Sequence, residues 1–288
     1  MKSAAPIDAR SVFRERYGPW AVITGASDGI GREFAAQTAA RGLDVVLVAR
    51  RRSVLEALAA ELTARHGVHS RVLDVDLSDP AGADTIAAAT ADLDVGLLVA
   101  AAGFGTSGPL LDSDIRDELD MLQVNCAAVL TLTHHFGGRF ARRGCGGLIL
   151  LGSLVGYQGV GRAAHYAATK AWVQTLAEGL HGELRPLGVD VLAVAPGPVH
   201  SGFADRAGMV MSRAARPADV AAPALEALGR RRTIVPGALS KTLTWTLAPL
   251  PRRTRTAIMT RVMNAMTPNR TPHLVNPPDA PPTRTHPG

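Results

Sequence analysis

Cysteine is almost missing from this chain. Cys126 and Cys145 stand alone in apolar or glycine-rich surroundings, without C-x-x-C spacing, which excludes a disulfide-built fold and points to a reducing compartment. No H-E-x-x-H or Cys/His cluster occurs, so no metal is expected. The longest apolar runs fall short of the roughly 18 uncharged residues that a spanning helix needs. The opening stretch MKSAAPIDARSVFRERYG has no apolar centre of the signal-peptide kind. Aromatic residues supply 4% and charged residues 19% against 47% apolar, a globular composition rather than a disordered one. The expected setting is cytoplasmic.

Charge of either sign is also missing as a bias over most of the chain. The net charge of +6 resides wholly in residues 241–288, where Lys241, Arg252, Arg253, Arg255, Arg261, Arg270 and Arg284 face one acid, Asp279. A balanced body excludes nucleic acid as the main partner, because phosphate binding needs a basic face. The basic end is the one segment suited to peripheral contact with an anionic membrane.

What is present alternates between strand and helix. Trp20–Thr24 (WAVIT) is a short apolar strand, followed by GASDGIG and a helix predicted over Arg32–Arg41. Gly25 permits a tight turn, Gly29 lets backbone approach a pyrophosphate, and Gly31 allows close packing of the helix. Asp44–Ala49 is a continuous apolar strand, the pattern of a parallel sheet covered on both faces. It runs into Arg50, Arg51 and Arg52, where a unit that binds NAD would carry an acid for the ribose hydroxyls. Three arginines and no acid favour a 2′-phosphate, hence NADP over NAD, with Arg50 the best single candidate. A helix over Ser53–His66, a strand over Val68–Leu73 and a strand over Val95–Ala100 continue the alternation. Asp76 is open to two readings, an acceptor for adenine or part of the cap of the next helix. The repeated units predict an α/β fold: a doubly wound, Rossmann-type parallel sheet in three layers, one domain with a C-terminal tail.

Chemistry concentrates in the second half. A long helix is predicted over Ile115–Phe140 with Leu119, Leu122, Cys126 and Leu130 on its apolar side, interrupted by Asn125. A buried amide there must either clamp backbone or hold a water. Leu148–Leu151 is the fifth strand and delivers Ser153. Tyr166 and Lys170 follow on one helix, four residues apart and so on one face, about 6 Å apart at Cβ. An ammonium beside a phenol favours the phenolate, so this pair is expected to hold Tyr166 partly ionised. Val189–Ala195 leads to Pro196-Gly197-Pro198-Val199 at a ligand-binding sheet edge. The weakly periodic stretch His200–Arg216 reads as a lid, with Phe203, Met209 and Met211 toward an apolar substrate. A helix beginning near Pro217 and Asp219 and a short strand over Thr233–Val235 complete the body.

In their order and spacing these marks resemble the short-chain dehydrogenase/reductase family: TGASDGIG at 24–31, Asp76, AAAG, Asn125, Ser153, Tyr166-x-x-x-Lys170 and PGPV at 196–199. The resemblance spans about Trp20 to Gly237 and, more loosely, is closest to the branch that reduces long-chain ketoacyl or steroid ketones. It implies an NADP(H)-dependent oxidoreductase that interconverts a ketone or aldehyde and an alcohol. Tyr166 would be the general acid/base, Ser153 a hydrogen-bond donor to the carbonyl, Lys170 a ribose ligand, and Asn125 the anchor of a proton-relay water. It implies cofactor contacts from Gly25, Ser27, Asp28, Gly29, Ile30, Gly31, Arg50, Asp76, Leu77, Ala101, Gly103, Tyr166, Lys170, Pro196, Gly197, Val199 and Ser201, with Phe104 beside the substrate. Ala100 and Ala101 depart from the family, which usually has NNAG there. The rival readings are a non-catalytic NADP-binding regulator of the same fold and an enzyme of the nucleotide-sugar epimerase or dehydratase kind.

The expected organisation is a nucleotide-binding catalytic domain over 18–237, an amphipathic extension over 238–266, and a tail over 267–288 in which seven of 22 residues are proline. That tail is expected to be disordered. In the extension, Ile258, Val262 and Met266 form an apolar stripe, suited to covering the substrate cleft, to a second subunit or to a membrane. Family resemblance implies a homo-oligomer, a dimer or tetramer paired through the long helices.

Overall fold

The computed structural model describes residues 9–210 and 214–267. Seven parallel strands form one sheet: β1 (Trp20–Thr24), β2 (Asp44–Ala49), β3 (Ser70–Asp74), β4 (Val95–Ala100), β5 (Gly146–Leu151), β6 (Val189–Val194) and β7 (Thr233–Ile234). Their spatial order is β3-β2-β1-β4-β5-β6-β7. The chain winds outward from β1 to β3, then returns to β4 on the other side of β1. Ligands in such sheets bind at the carboxyl ends flanking this reversal, and Thr24 pairs with Ala100 there.

Eleven helices accompany the sheet among the described residues: α1 (Ala9–Tyr17), α2 (Gly29–Ala40), α3 (Arg52–His66), α4 (Gly82–Ala89), α5 (Ile115–Leu122), α6 (Ala128–Arg143), α7 (Ala164–Leu184), α8 (Phe203–Ala207), α9 (Ala218–Ala227), α10 (Ala238–Leu247) and α11 (Arg252–Met266). Alternation along each strand divides the core in two. Ala21 and Ile23 of β1 pack with α2, α3 and α9 through Phe34, Leu58 and Leu225. Val22, between them, packs on the opposite face with Leu132, Phe136 and Val173 of α6 and α7. Because both faces are covered, β1, β2, β4, β5 and β6 are apolar along most of their length, with Asp44 of β2 and Asp190 of β6 the charged exceptions.

Five expectations are corrected. Asp28 caps α2 by accepting from the Gly29 N–H at 2.8 Å, so the helix begins three residues earlier than Arg32. Strand β3 lies at Ser70–Asp74 and β5 starts at Gly146, each about two residues from its expected start. The helix predicted over Ile115–Phe140 is broken by a π turn, Gln123–Ala127, between α5 and α6. Leu119, Leu122 and Leu130 are exposed at 57%, 44% and 47%, and the inward row is Glu118, Met121, Asn125, Val129 and Leu132. Met211 and the proline-rich stretch 268–288 lie outside the described residues.

Candidate active site

Where the carboxyl ends of the strands meet the C-terminal helices, the fold encloses a cavity of about 890 Å³. One end is the glycine turn. Gly25 has φ of +69°, and a side chain on it would press on Ala102 N at 2.9 Å; only glycine adopts that conformation without strain. Ser27, Asp28, Ile30 and Gly31 line the same end. Arg51 donates to the Ser27 carbonyl at 3.2 Å and hydroxyl at 3.1 Å, while Arg50 lies 3.8 Å from Asp76. Two guanidinium groups therefore stand beside the turn, and Arg51 joins Arg50 as a candidate for a 2′-phosphate. Arg52 turns away to Glu56 and Asp74. Asp76 accepts from Ser78 N at 3.0 Å in a local turn yet still faces the cavity, beside Leu77. It does not cap α4, whose N-cap Ala81 has no side-chain bond, so its place in the cavity leaves the adenine acceptor as the open reading.

The middle of the cavity is walled by Ala101 and Gly103, which follow β4, and by Pro196, Gly197 and Val199, which follow β6. A side chain at Gly103 would come within 2.9 Å of Asn125 Oδ1 and 3.2 Å of Lys170 Nζ. That close approach keeps this wall bare. With alanine in place of the family's asparagines, the backbone after β4 is braced by Thr24, whose hydroxyl accepts from Ala102 N at 3.0 Å.

Asn125 lies behind the wall, fully buried. Its side chain accepts from Phe104 N at 3.1 Å and donates to Phe104 O at 2.9 Å and to Thr169 Oγ1 at 3.0 Å. The amide thus clamps the backbone beside Gly103 and ties it to α7. The π turn widens the helix at this point, turning the amide toward the neighbouring segment.

Ser153, Tyr166 and Lys170 meet at the far end. Ser153 caps the 3₁₀ turn Leu154–Tyr157 and lies within hydrogen-bond reach of the Tyr166 phenol. Lys170 Nζ donates to the Leu151 carbonyl at 2.9 Å and sits 5.9 Å from the centre of the Tyr166 ring. The expected phenolate does not form here. Burial raises the Tyr166 phenol to about 12, outweighing the Ser153 hydrogen bond, and lowers Lys170 to about 8. The phenol stays protonated, a donor waiting for an acceptor.

Over these groups lies the segment after β6. Ser201 sits directly on the glycine turn, and Gly202 N donates to Asp28 Oδ2 at 2.8 Å. The Phe203 ring is 5.4 Å from that of Tyr166, and Phe104 and Met209 line the cavity nearby. The C-terminal extension forms the roof, one of the three placements expected for it, although not with the expected row of side chains. Met259 and Met263 of α11 are buried and line the cavity, with Leu239 and Leu243 of α10 and with Val262 and Met266. The inward row of α11 is offset by one residue from the expected Ile258–Val262–Met266 stripe; methionines four apart were the signal for it. Thr260 and Met266 fasten this helix, accepting from Gly161 N and Val210 N at 2.9 and 2.8 Å.

The glycine turn, the bare wall and the Ser–Tyr–Lys cluster share one cavity, and the pattern of the family described as short chain dehydrogenase matches residues 19–209. The chain belongs to this family. As such it is an oxidoreductase. It is 35% identical over 233 residues to a 7beta-hydroxysteroid dehydrogenase of Clostridium sardiniense, covering 80% of this chain and 89% of that one. A very-long-chain 3-oxoacyl-CoA reductase of Meyerozyma guilliermondii is 40% identical over 190 residues, 62% of this chain and only 56% of that longer protein. Among solved structures, a short-chain dehydrogenase from Sphingobium yanoikuyae in complex with NADPH has a TM-score of 0.74 and 32% identity, covering 84% of this chain and 96% of that one.

Proposed function

We propose that this enzyme uses NADP(H) to interconvert a bulky apolar ketone and its secondary alcohol. The cavity fits the dinucleotide: bare backbone at Gly25 and Gly103, and Arg50 and Arg51 beside Ser27. NADPH, when bound, supplies the hydride. The protein's own task is the oxygen. Ser153 and Tyr166 offer two donors to one carbonyl oxygen, which stabilises the alkoxide as charge develops, and Tyr166 then gives up its proton. Lys170 holds a positive charge behind the phenol, and Asn125 keeps the wall at Phe104 from shifting. The methionines of the roof exclude water while adapting to an irregular apolar surface.

The observation that carries this reading is the Ser153–Tyr166 pair in the same cavity as the glycine turn. Following NADPH absorbance with a panel of ketones, steroid-sized and long-chain ones included, tests it. Turnover should favour bulky apolar ketones and NADPH. Equal or better use of NADH would contradict the role of the arginines, and no turnover with any carbonyl would leave a nucleotide-binding regulator.

Pairing between copies is part of the same proposal. Ile115, Leu119 and Leu122 present an exposed apolar row along α5, exposed by 66%, 57% and 44%, with Leu111 of the preceding turn exposed by 85%, and burial of this surface in a homo-oligomer would offset that exposure. Light scattering of the protein at micromolar concentration tests it. The free Cys126 and Cys145 fit a cytoplasmic setting. No helix among the described residues is long and apolar enough to cross a membrane. Contact with an anionic surface through Lys241, Arg252, Arg253 and the 81%-exposed Trp245 is testable by vesicle sedimentation.

A further inference from the structure

Charged side chains that line the cavity are nearly all engaged. Asp28 accepts from Gly29 N and Gly202 N, Arg50 faces Asp76, Arg51 holds Ser27, and Lys170 donates to Leu151 O. Arg206 of α8 is the exception: its side chain makes no hydrogen bond or ion pair among the described residues. Its guanidinium carbon lies 3.7 Å from the centre of the Phe104 ring, a cation–π contact that aims the planar group at the cavity wall. Burial and the like charge of Arg50 hold this guanidinium below its ordinary value, with Asp117, Asp76 and Asp120 opposing more weakly. Arg50 reaches the cleft from the end of β2, whereas Arg206 reaches it from the segment that crosses over the glycine turn. Two cations thus face one cleft from opposite walls and repel each other, and a polyanion lying between them relieves both. The glycine turn and the capped start of α2 occupy the floor of that cleft.

We infer that Arg206 is a phosphate ligand of the dinucleotide, presented from α8 over the glycine turn, so that the segment after β6 and the cofactor's phosphates fasten each other. This rests on the NADP(H) reading above. Gly202 hydrogen-bonded to Asp28 already brings α8 against the phosphate turn, and a fork-shaped guanidinium suits phosphate better than a point charge does.

The test is a fluorescence titration of the full chain with NADPH and, separately, NADH, without any ketone. Arg206→Gln should weaken NADPH binding about tenfold, the worth of one charge-assisted hydrogen bond, and Arg206→Lys should fall between. Equal weakening for NADH assigns the contact to the diphosphate; loss with NADPH alone assigns it to the 2′-phosphate. Unchanged NADPH affinity in a folded Arg206→Gln protein overturns the inference. It does so too if the KM of a ketone bearing a carboxylate rises while that of its neutral ester does not, which would give the cation to the substrate. Wild-type protein that binds neither cofactor would instead remove the functional reading beneath it.

Discussion

Two tyrosines are buried in this protein and only one is poised for chemistry. Tyr17 ends α1 at the amino edge of the sheet, 4% exposed; Tyr166 lies at the carboxyl edge, 9% exposed. Burial raises both phenols above the ordinary value. Tyr17 is fully spent: it donates to Asp190 Oδ2 at 2.7 Å, and Arg16 binds the same carboxylate at 2.6 Å. Tyr166 opens on a cavity with Ser153 beside it and Lys170 behind. A raised pKa therefore does not identify a catalytic phenol. What distinguishes the two is whether the donated proton already has an acceptor inside the fold.

The comparison can be broken at several points. Tyr166→Phe keeps the ring and removes the proton, so turnover should fall about 1,000-fold or more while NADPH affinity stays within a few fold; steady-state kinetics with a binding titration checks both. Ser153→Ala should cost about 100-fold in kcat, since one of two donors to the oxygen remains. Lys170, lowered by burial to about 8, carries its charge below that pH and loses it above. Carbonyl reduction should then be flat at lower pH and fall about tenfold per unit above 8, as read from a pH profile of kcat/KM. Tyr166, at about 12, stays protonated throughout that range. Met263→Ala should raise the KM of a bulky apolar ketone about tenfold relative to a small one, a ratio that cancels general losses. Tyr17→Phe should leave kcat within twofold and cost about 1 kcal/mol of stability in a denaturant titration. A kinetic defect there would undo the distinction.

Much of this was legible in the sequence, and what was not has local causes. Strands β1, β2 and β4 announced themselves because a doubly covered sheet makes each a nearly unbroken apolar run, and β6 did so around Asp190. The glycine turn, Ser153, Tyr166 and Lys170 were readable because their spacing encodes their placement. The inward face of α5 was misread because an acid occupies it. Glu118 is buried at 3% exposure against His165, 2.7 Å away, whereas Leu119 beside it faces outward. Hydropathy cannot rank a paired buried acid above an exposed leucine. The roof was half-legible: α11 has apolar residues on adjoining faces, and only packing decides which one the cavity takes. Arg206 left no signal at all, since one arginine among many is distinguished only by its place on the cavity wall against Phe104.

The π turn at Gln123–Ala127 also separates two demands that a regular helix would set against each other. The inward row runs from Met121 through Asn125 to Val129 and Leu132 across the wide turn, so α5 and α6 keep their rows toward the core while Asn125 reaches Phe104. Removing one residue from that turn would leave Met121 and Leu132 ten residues apart, about 80° out of line on an ordinary helix. Asn125→Ala, by contrast, keeps that row in line and takes away only the clasp on the wall beside Gly103. The wide turn thus serves the core and the site with the same side chain.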